Sequence, residues 1–303
     1  MNLTSDDISF PFIKKIEFSG HQGAIYSLVF DDEFIYSASA DKYVTRWNLK
    51  LGIQDKFAIK FSNSPYSISL FSNNSKLAVG LDNGNLHFFD LIERKELKFY
   101  IQHKSGIFCI HENSLMKQLY STDADGNLAI WDTDNLELLL YLPFDCGKIR
   151  GICLDKLGRK LFLACQDGFI RILETKYFNQ IGELYAHENG VTSLVFNNDN
   201  NQLISGGKDA ILRIWNFDNM KQIKVIPAHN FIVYDIKILN AFEFITVSRD
   251  KSIKIWSLNN LNVTQKIDYK NGGHLHSVNK IQSLNSNSFA TCSDDKKIIV
   301  WGK

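Results

Sequence analysis

The sequence predicts an all-β protein built from seven repeats of about four short strands each. Three observations carry this. An aspartate, five residues and then a large apolar residue occur seven times: Asp41 to Trp47, Asp82 to Phe88, Asp125 to Trp131, Asp167 to Leu173, Asp209 to Trp215, Asp250 to Trp256 and Asp295 to Trp301. The apolar anchors follow one another at 41 to 45 residues, and all five tryptophans of the chain stand on that position. A fixed period of this size marks a stacked or radial repeat architecture. Within the units the apolar residues alternate, as in Ile211-Leu212-Arg213-Ile214-Trp215 and Ile253-Lys254-Ile255-Trp256. That alternation and its β-branched and aromatic content read as strand, and no 3.6-residue period persists.

Taken in order, the chain opens with Met1-Asn2-Leu3-Thr4-Ser5-Asp6-Asp7, which has neither the basic nor the apolar region of a secretory signal. Residues 12–18, Phe-Ile-Lys-Lys-Ile-Glu-Phe, then read as a strand before Gly20-His21. The same pattern precedes Ala228-His229, as Met220 to Ile226. The sequence stops two residues after Trp301, so the seventh unit lacks that strand. Residues 12–18 are therefore expected to complete it as an outer strand, which removes an open sheet edge and makes residues 1–303 one closed domain. Between strands, Asn83-Gly84, Asp125-Gly126 and Asp167-Gly168 supply residues tolerant of the positive φ that tight hairpins need. Only four prolines interrupt the pattern.

Five units share further polar residues. A histidine stands 26 to 28 residues before the tryptophan (His21, His103, His187, His229, His274), and a hydroxyl stands four before the aspartate (Ser37, Ser121, Ser205, Thr246, Thr291). With Asp41, Asp125, Asp209, Asp250 and Asp295, and with Trp47, Trp131, Trp215, Trp256 and Trp301, these can satisfy one another in a buried network. The unit at Asp82 has Ala78 and Phe88 at the hydroxyl and tryptophan places and no upstream histidine. The unit at Asp167 has Leu163 and Leu173, with Asp145-Cys146 near the histidine place. These two are expected to rely on apolar packing.

Gly-His, then Ser/Thr-x-x-x-Asp, then Trp at this period resembles the WD40 repeat, over essentially the whole chain, and Trp131-Asp132 preserves the dipeptide that names it. The resemblance implies a seven-bladed β-propeller with four antiparallel strands per blade. It also implies a docking face built from three positions per unit. The fifth residue after the histidine gives Tyr26, Phe108, Arg150, Thr192, Tyr234 and Asn279; the third gives Pro65, Lys148 and Ile232; the residue before the aspartate gives Gln166, Lys208, Arg249 and Asp294. Phe231 and His276 share these loops. Tyr26, Phe108, Lys148, Arg150, Lys208, Phe231, Tyr234 and Arg249 are the expected partner-binding residues, because aromatic and arginine side chains anchor interfaces.

Composition narrows the function. Lys plus Arg total 34 against 33 acidic residues, a net charge of +1, without the basic excess of a dedicated nucleic-acid or membrane-surface protein. No run of 18 apolar residues exists to span a bilayer. The five cysteines are odd in number and form no CxxC pair, as expected of reduced thiols in a cytoplasmic protein, or a nuclear one in a eukaryote. No HExxH, GxSxG, P-loop or GxGxxG motif occurs, and the recurrent aspartates and histidines serve the repeat. The expectation is a non-enzymatic scaffold or adaptor, without cofactor or metal, binding protein or peptide partners as one propeller within a larger complex. The competing expectation is a component of an RNA-processing or ribosome-assembly complex, using a basic arc of Lys42, Lys208, Arg249, Lys251, Lys296 and Lys297. An enzyme sited in the central channel is the third reading, and no motif supports it.

Overall fold

The computed structural model describes residues 10–303. Seven four-stranded antiparallel sheets follow one another around a ring. Blade one, for example, comprises Ile25–Phe30, Phe34–Ser39, Tyr43–Asn48 and Ile53–Lys60, running from the inner to the outer strand. The sole helix among the described residues is a single 3-10 turn, Tyr269–Asn271, between blades six and seven.

Ring closure follows the expected route. Ile13–Ser19 pairs antiparallel with Lys297–Gly302, which pairs with Ser288–Ser293 and Val278–Asn285. The N-terminal strand is thus the outer strand of blade seven. Phe12 lies just before it, buried at 5.1 Å from Phe289. The Phe12 backbone N–H donates to Gln265 Oε1 at 2.8 Å and its carbonyl accepts from Gln265 Nε2 at 2.8 Å, tying the closure to blade six.

The core lies between blades. Trp131 of blade three packs with Phe71, Ala78 and Phe88 of blade two. Phe18, Ala290, Cys292 and Ile298 of blade seven pack with Ile25, Leu28 and Trp47 of blade one. Each sheet therefore buries its faces against two neighbours, and the ring stands as a closed chain of interfaces. The same turn joins the second and third strands of every blade. Its left-handed residue is Lys42, Gly84, Gly126, Gly168, Ala210, Lys251 or Lys296, with φ between 64° and 95°. Only three of these are glycine.

Pairing corrects the alignment of blade two. Ile35 faces Trp47, Leu119 faces Trp131, and in blade two Leu77 faces Phe89. Phe89, and not Phe88, therefore holds the tryptophan place; Val79 replaces Ala78 at the hydroxyl place, and Asn83 replaces Asp82. The anchors then step evenly by 42 residues from Trp47 to Phe89 to Trp131. Phe61 stands where five other blades carry histidine and packs with Val79 and Phe89, its ring 6.0 Å from that of Phe89. In blade four Cys146, Leu163 and Leu173 share one apolar cluster.

Candidate functional site

Five blades carry a hydrogen-bonded relay that fixes the loop entering the blade. In blade one His21 Nδ1 lies 2.7 Å from Asp41 Oδ2 and its Nε2 lies 2.7 Å from Ser37 Oγ, which accepts from Trp47 Nε1 at 2.7 Å. His187, Ser205, Trp215 and Asp209 repeat this in blade five, and Arg213 adds a second partner to Asp209 at 2.8 Å. Blade six uses His229, Thr246, Trp256 and Asp250, and blade seven uses His274, Thr291, Trp301 and Asp295. In blades one, six and seven one proton assignment satisfies the four groups: His Nδ1–H donates to the carboxylate, the hydroxyl donates to Nε2, and the indole donates to the hydroxyl; in blade five Arg213 Nη1 also lies 2.8 Å from His187 Nδ1 and can donate to it, with Nε2–H then donating to Ser205. The histidine is then neutral. Burial indeed pushes His21, His187 and His229 below the usual imidazole range, against the pull of their aspartates. Burial opposes ionisation of Asp41, Asp209 and Asp295, yet the hydrogen bonds they accept outweigh it and hold them below the carboxylate norm.

Blade three departs from expectation. His103 Nδ1 meets Asp123 Oδ2 at 2.7 Å, not Asp125, while Nε2 meets Ser121 at 2.8 Å and Trp131 donates to Ser121 at 2.9 Å. Asp123 is fully buried and also accepts from the backbone N–H groups of Asp125 and Asn127. Asp125 is exposed at the hairpin tip. Asp123 sits two places earlier, where blade one has Ser39, whose hydroxyl caps the same turn by accepting from Asp41 N–H. Its longer reach combines the duties of Ser39 and Asp41.

The relays frame a single structural motif at the ring axis. Every inner strand carries an irregularity near its start where it pairs with the second strand, and the residue left out of register is Tyr26, Tyr66, Phe108, Arg150, Thr192, Tyr234 or Asn279; blade seven has a second shift at Ser283/Asn285. A bulge re-aims the side chain of its extra residue. All seven bulge residues line one cavity of about 590 Å³, joined by Ala24, Lys148, Lys280 and Asp294. Six of the seven were expected from the histidine count. Tyr66 was missed because blade two has no histidine to count from; its spacing of 40 from Tyr26 and 42 to Phe108 would have found it. Pro65, expected at a loop position, is instead buried at the start of the strand Pro65–Phe71, paired with Leu81.

The wall of this mouth is polarised. Tyr26, Tyr66 and Phe108 form an aromatic run, with ring centroids 5.1 and 5.5 Å apart. The Arg150 guanidinium lies 4.7 Å from the Phe108 ring centre and Lys148 Nζ 5.1 Å from it, both within cation–π range. Burial holds Arg150 below its usual range. Burial, with Arg150 and Lys148 nearby, does the same to Lys208. Carboxylates occupy the other side. Asp294 accepts from Asn279 Nδ2 at 2.8 Å, and that amide also donates to the Ile25 carbonyl of blade one. Asp82 stands one residue before Asn83, the place held by Lys208, Arg249 and Asp294 in their blades, and its Oδ1 is buried without a hydrogen-bond partner. Burial first, then Tyr66, Asp294 and Asp82, raise the Tyr26 phenol.

Tyr26, Phe108, Lys148, Arg150 and Tyr234 thus converge on the mouth as a group. Lys208, Phe231 and Arg249 lie on the surrounding loops and do not line the cavity; Phe231 is 57% exposed. Thr192 lines it, but its hydroxyl is spent on the Gly206 and Val233 carbonyls. The basic arc is not a unit, because Lys297 pairs with Glu17 of the closing strand at 2.5 Å.

Comparison with known proteins agrees with this geometry. The family model described as "WD domain, G-beta repeat" matches residues 13–48, 94–132, 178–216, 220–257 and 266–302, more than half of the chain. The two long stretches it passes over contain the first to third strands of blades two and four, whose relays are apolar. A "U5 small nuclear ribonucleoprotein 40 kDa protein" of Dictyostelium discoideum is 28% identical over 120 residues, 39% of this chain and 34% of that protein. "Telomerase protein component 1" of Mus musculus is 22% identical over 223 residues, 72% of this chain and 8% of that protein. "WD repeat-containing protein 55" of Rattus norvegicus is 21% identical over 262 residues, 85% of this chain and 68% of that protein. The chain spans about a third or less of the first two of these relatives. Relay, strand order, ring closure and family match coincide: the chain belongs to the WD domain, G-beta repeat family, as a seven-bladed β-propeller.

Proposed function

We propose that this chain is a non-enzymatic interaction scaffold that docks a protein or peptide partner over the mouth lined by the seven bulge residues. The observation that carries the reading is the convergence itself. Each blade contributes one re-aimed side chain to one concave, half-buried site, and aromatic or arginine residues hold five of the seven places. Large rigid side chains in a concave patch lose little entropy on binding and anchor interfaces. The charge pattern selects the partner's orientation: Lys148, Arg150, Lys208 and Arg249 on blades four to six face Asp82 and Asp294 on blades two and seven. Such complementarity fixes register and on-rate more than affinity. The test is affinity capture with wild type and a Tyr26/Arg150/Tyr234/Arg249→Ala variant matched in melting temperature. Partners retained by wild type and lost by the variant support the reading; identical partners on both move docking to another face.

A nucleic-acid-associated role is the second reading, favoured by the cationic side of the mouth and by one relative named as a small nuclear ribonucleoprotein component. It requires affinity that falls steeply as salt rises. A flat salt response removes it.

A further inference from the structure

Below the mouth the axis of the ring holds a second cavity of about 430 Å³, lined by the inner strands of all seven blades. Three places after each bulge residue the chain sets a ring of Val29, Ser69, His111, Cys153, Val195, Lys237 and Gln282, and all seven line this cavity. Lys280 and Asp235, one place after their bulges, line it as well. The charges here do not cancel. Asp235 lies 3.4 Å from Lys280 and accepts from the Ile281 backbone N–H at 3.0 Å, so its two oxygens are committed. Lys237 forms no ion pair among the described residues. Burial disfavours the charge on Lys280, but Asp235 outweighs it and keeps the ammonium. Burial, reinforced by Lys237 and Lys280, pushes His111 down to about 4, so the imidazole is neutral at pH 7 and free to hydrogen-bond. Two cations of the channel, Lys237 and Arg150, therefore lack an ion-pair partner among the described residues, and Arg150, Thr192, Tyr234 and Lys280 line both cavities and join them. Uncompensated positive charge in a low-dielectric cleft concentrates anions.

We propose that the channel binds a small oxyanion of the phosphate type, held between the ammonium groups of Lys237 and Lys280 and hydrogen-bonded by His111 and Gln282. Phosphate chemistry fits because its oxygens can accept from several converging donors at once. The anion enters through the mouth past Lys148 and Arg150. The site is separate from the partner-docking reading and does not depend on it.

The test is calorimetric titration of the full chain with inorganic phosphate at pH 7, against chloride at equal ionic strength. Saturable binding at one site is expected. Lys237→Met should weaken it at least tenfold, and Lys237→Arg should retain it. Asp235→Asn keeps the oxygen that meets Ile281 and removes the competing charge, so it should tighten phosphate severalfold. A variant that merely damaged the fold could not do this. A parallel titration with phenyl phosphate identifies the source: tighter binding than inorganic phosphate assigns the site to phosphomonoesters whose organic group reaches the aromatic mouth. Absence of saturable binding to wild type, or binding unchanged in Lys237→Met, overturns the proposal; loosened binding in Asp235→Asn overturns it too.

Discussion

Replacing Thr291 by valine tests whether the polar relay stabilises a blade or merely occupies it. Thr291 is fully buried in blade seven; its hydroxyl lies 2.9 Å from His274 Nε2 and accepts from Trp301 Nε1 at 2.9 Å. Valine keeps the shape and removes the oxygen. The Trp301 N–H and the His274 lone pair then remain buried without partners, since both residues are about 1% exposed. Each orphaned group costs about 1–3 kcal/mol, so the variant should lose about 2–6 kcal/mol. With an unfolding entropy of about 2.1 cal/mol/K per residue, that lowers the melting temperature by about 3–9 °C. Differential scanning fluorimetry at pH 7 reads it directly, and faster hydrogen exchange at the Trp301 indole locates it. The reciprocal change sharpens the argument. Leu163 holds the same place in blade four among Cys146, Leu173 and other apolar residues. Leu163→Thr there loses buried apolar surface and adds an unpartnered hydroxyl, so it should destabilise as well. The same threonine thus has opposite effects in two blades of one ring. A melting temperature within 1 °C of wild type for Thr291→Val would refute the reasoning.

Other consequences follow from the same contacts. Asp123→Asn should destabilise by about 1–3 kcal/mol because a charge-accepting hydrogen bond to buried His103 is lost, whereas Asp125→Asn should stay within about 0.5 kcal/mol; urea melts of the pair decide between them. Stability should fall with acidification in two stages. His21, His187 and His229 have folded values below their ordinary one near 6.5, so only the unfolded chain takes up their protons as pH drops through that value. Asp41, Asp123, Asp209, Asp250 and Asp295 are held below the carboxylate norm, so a second loss begins near pH 4. A melting temperature that is constant from pH 7 to pH 3 would contradict both. Ala210→Gly should stabilise by about 0.5–1 kcal/mol, because Ala210 holds φ 64° where a side chain is penalised. Gly84→Ala should do the reverse, since its Cβ would stand 2.3 Å from the His103 carbonyl oxygen. Deleting residues 1–19 strips the outer strand of blade seven and the buried Phe12 and Phe18, so the truncated chain should melt well below wild type.

Repetition made the fold readable. A tryptophan, a hydroxyl and a histidine returning at one spacing announce a shared local geometry, and the five relays hold the histidine, hydroxyl and tryptophan that the spacing named. Repetition also misled where a unit offered two candidates. Asp123 and Asp125 both flank the same hairpin, and only the reach of each side chain toward His103 separates them. In blade two the spacing anchored on Asp82 and Phe88, because Asn83 and Phe89 carry neither the carboxylate nor the indole that the pattern sought. Loss of the histidine there hid Tyr66 in turn. The channel residues escaped for a different reason. His111, Lys237 and Lys280 belong to no motif, and their proximity arises only when strands more than 40 residues apart meet at the axis.

The bulges link these levels. An unbroken inner strand would alternate its side chains between the two faces of the blade. One extra residue near the start of the inner strand breaks that alternation in every blade, at the same depth. The backbone irregularity turns a structural repeat into seven independently variable positions around one opening. Those positions carry Tyr, Tyr, Phe, Arg, Thr, Tyr and Asn, whereas the residue just before each bulge is Ile, Pro, Ile, Ile, Val, Val and Val. Adjacent sites in one strand thus obey different rules: the buried neighbour is confined to apolar residues by packing, while the bulged residue is free to differ from blade to blade. Exchange of bulge residues between blades, such as Tyr26→Arg with Arg150→Tyr, should therefore leave the melting temperature within about 2 °C while rearranging the charge of the mouth. A cooperative loss of fold in that double variant would show that the bulge positions serve packing, and the mouth would then be a by-product of ring closure and not a selected surface.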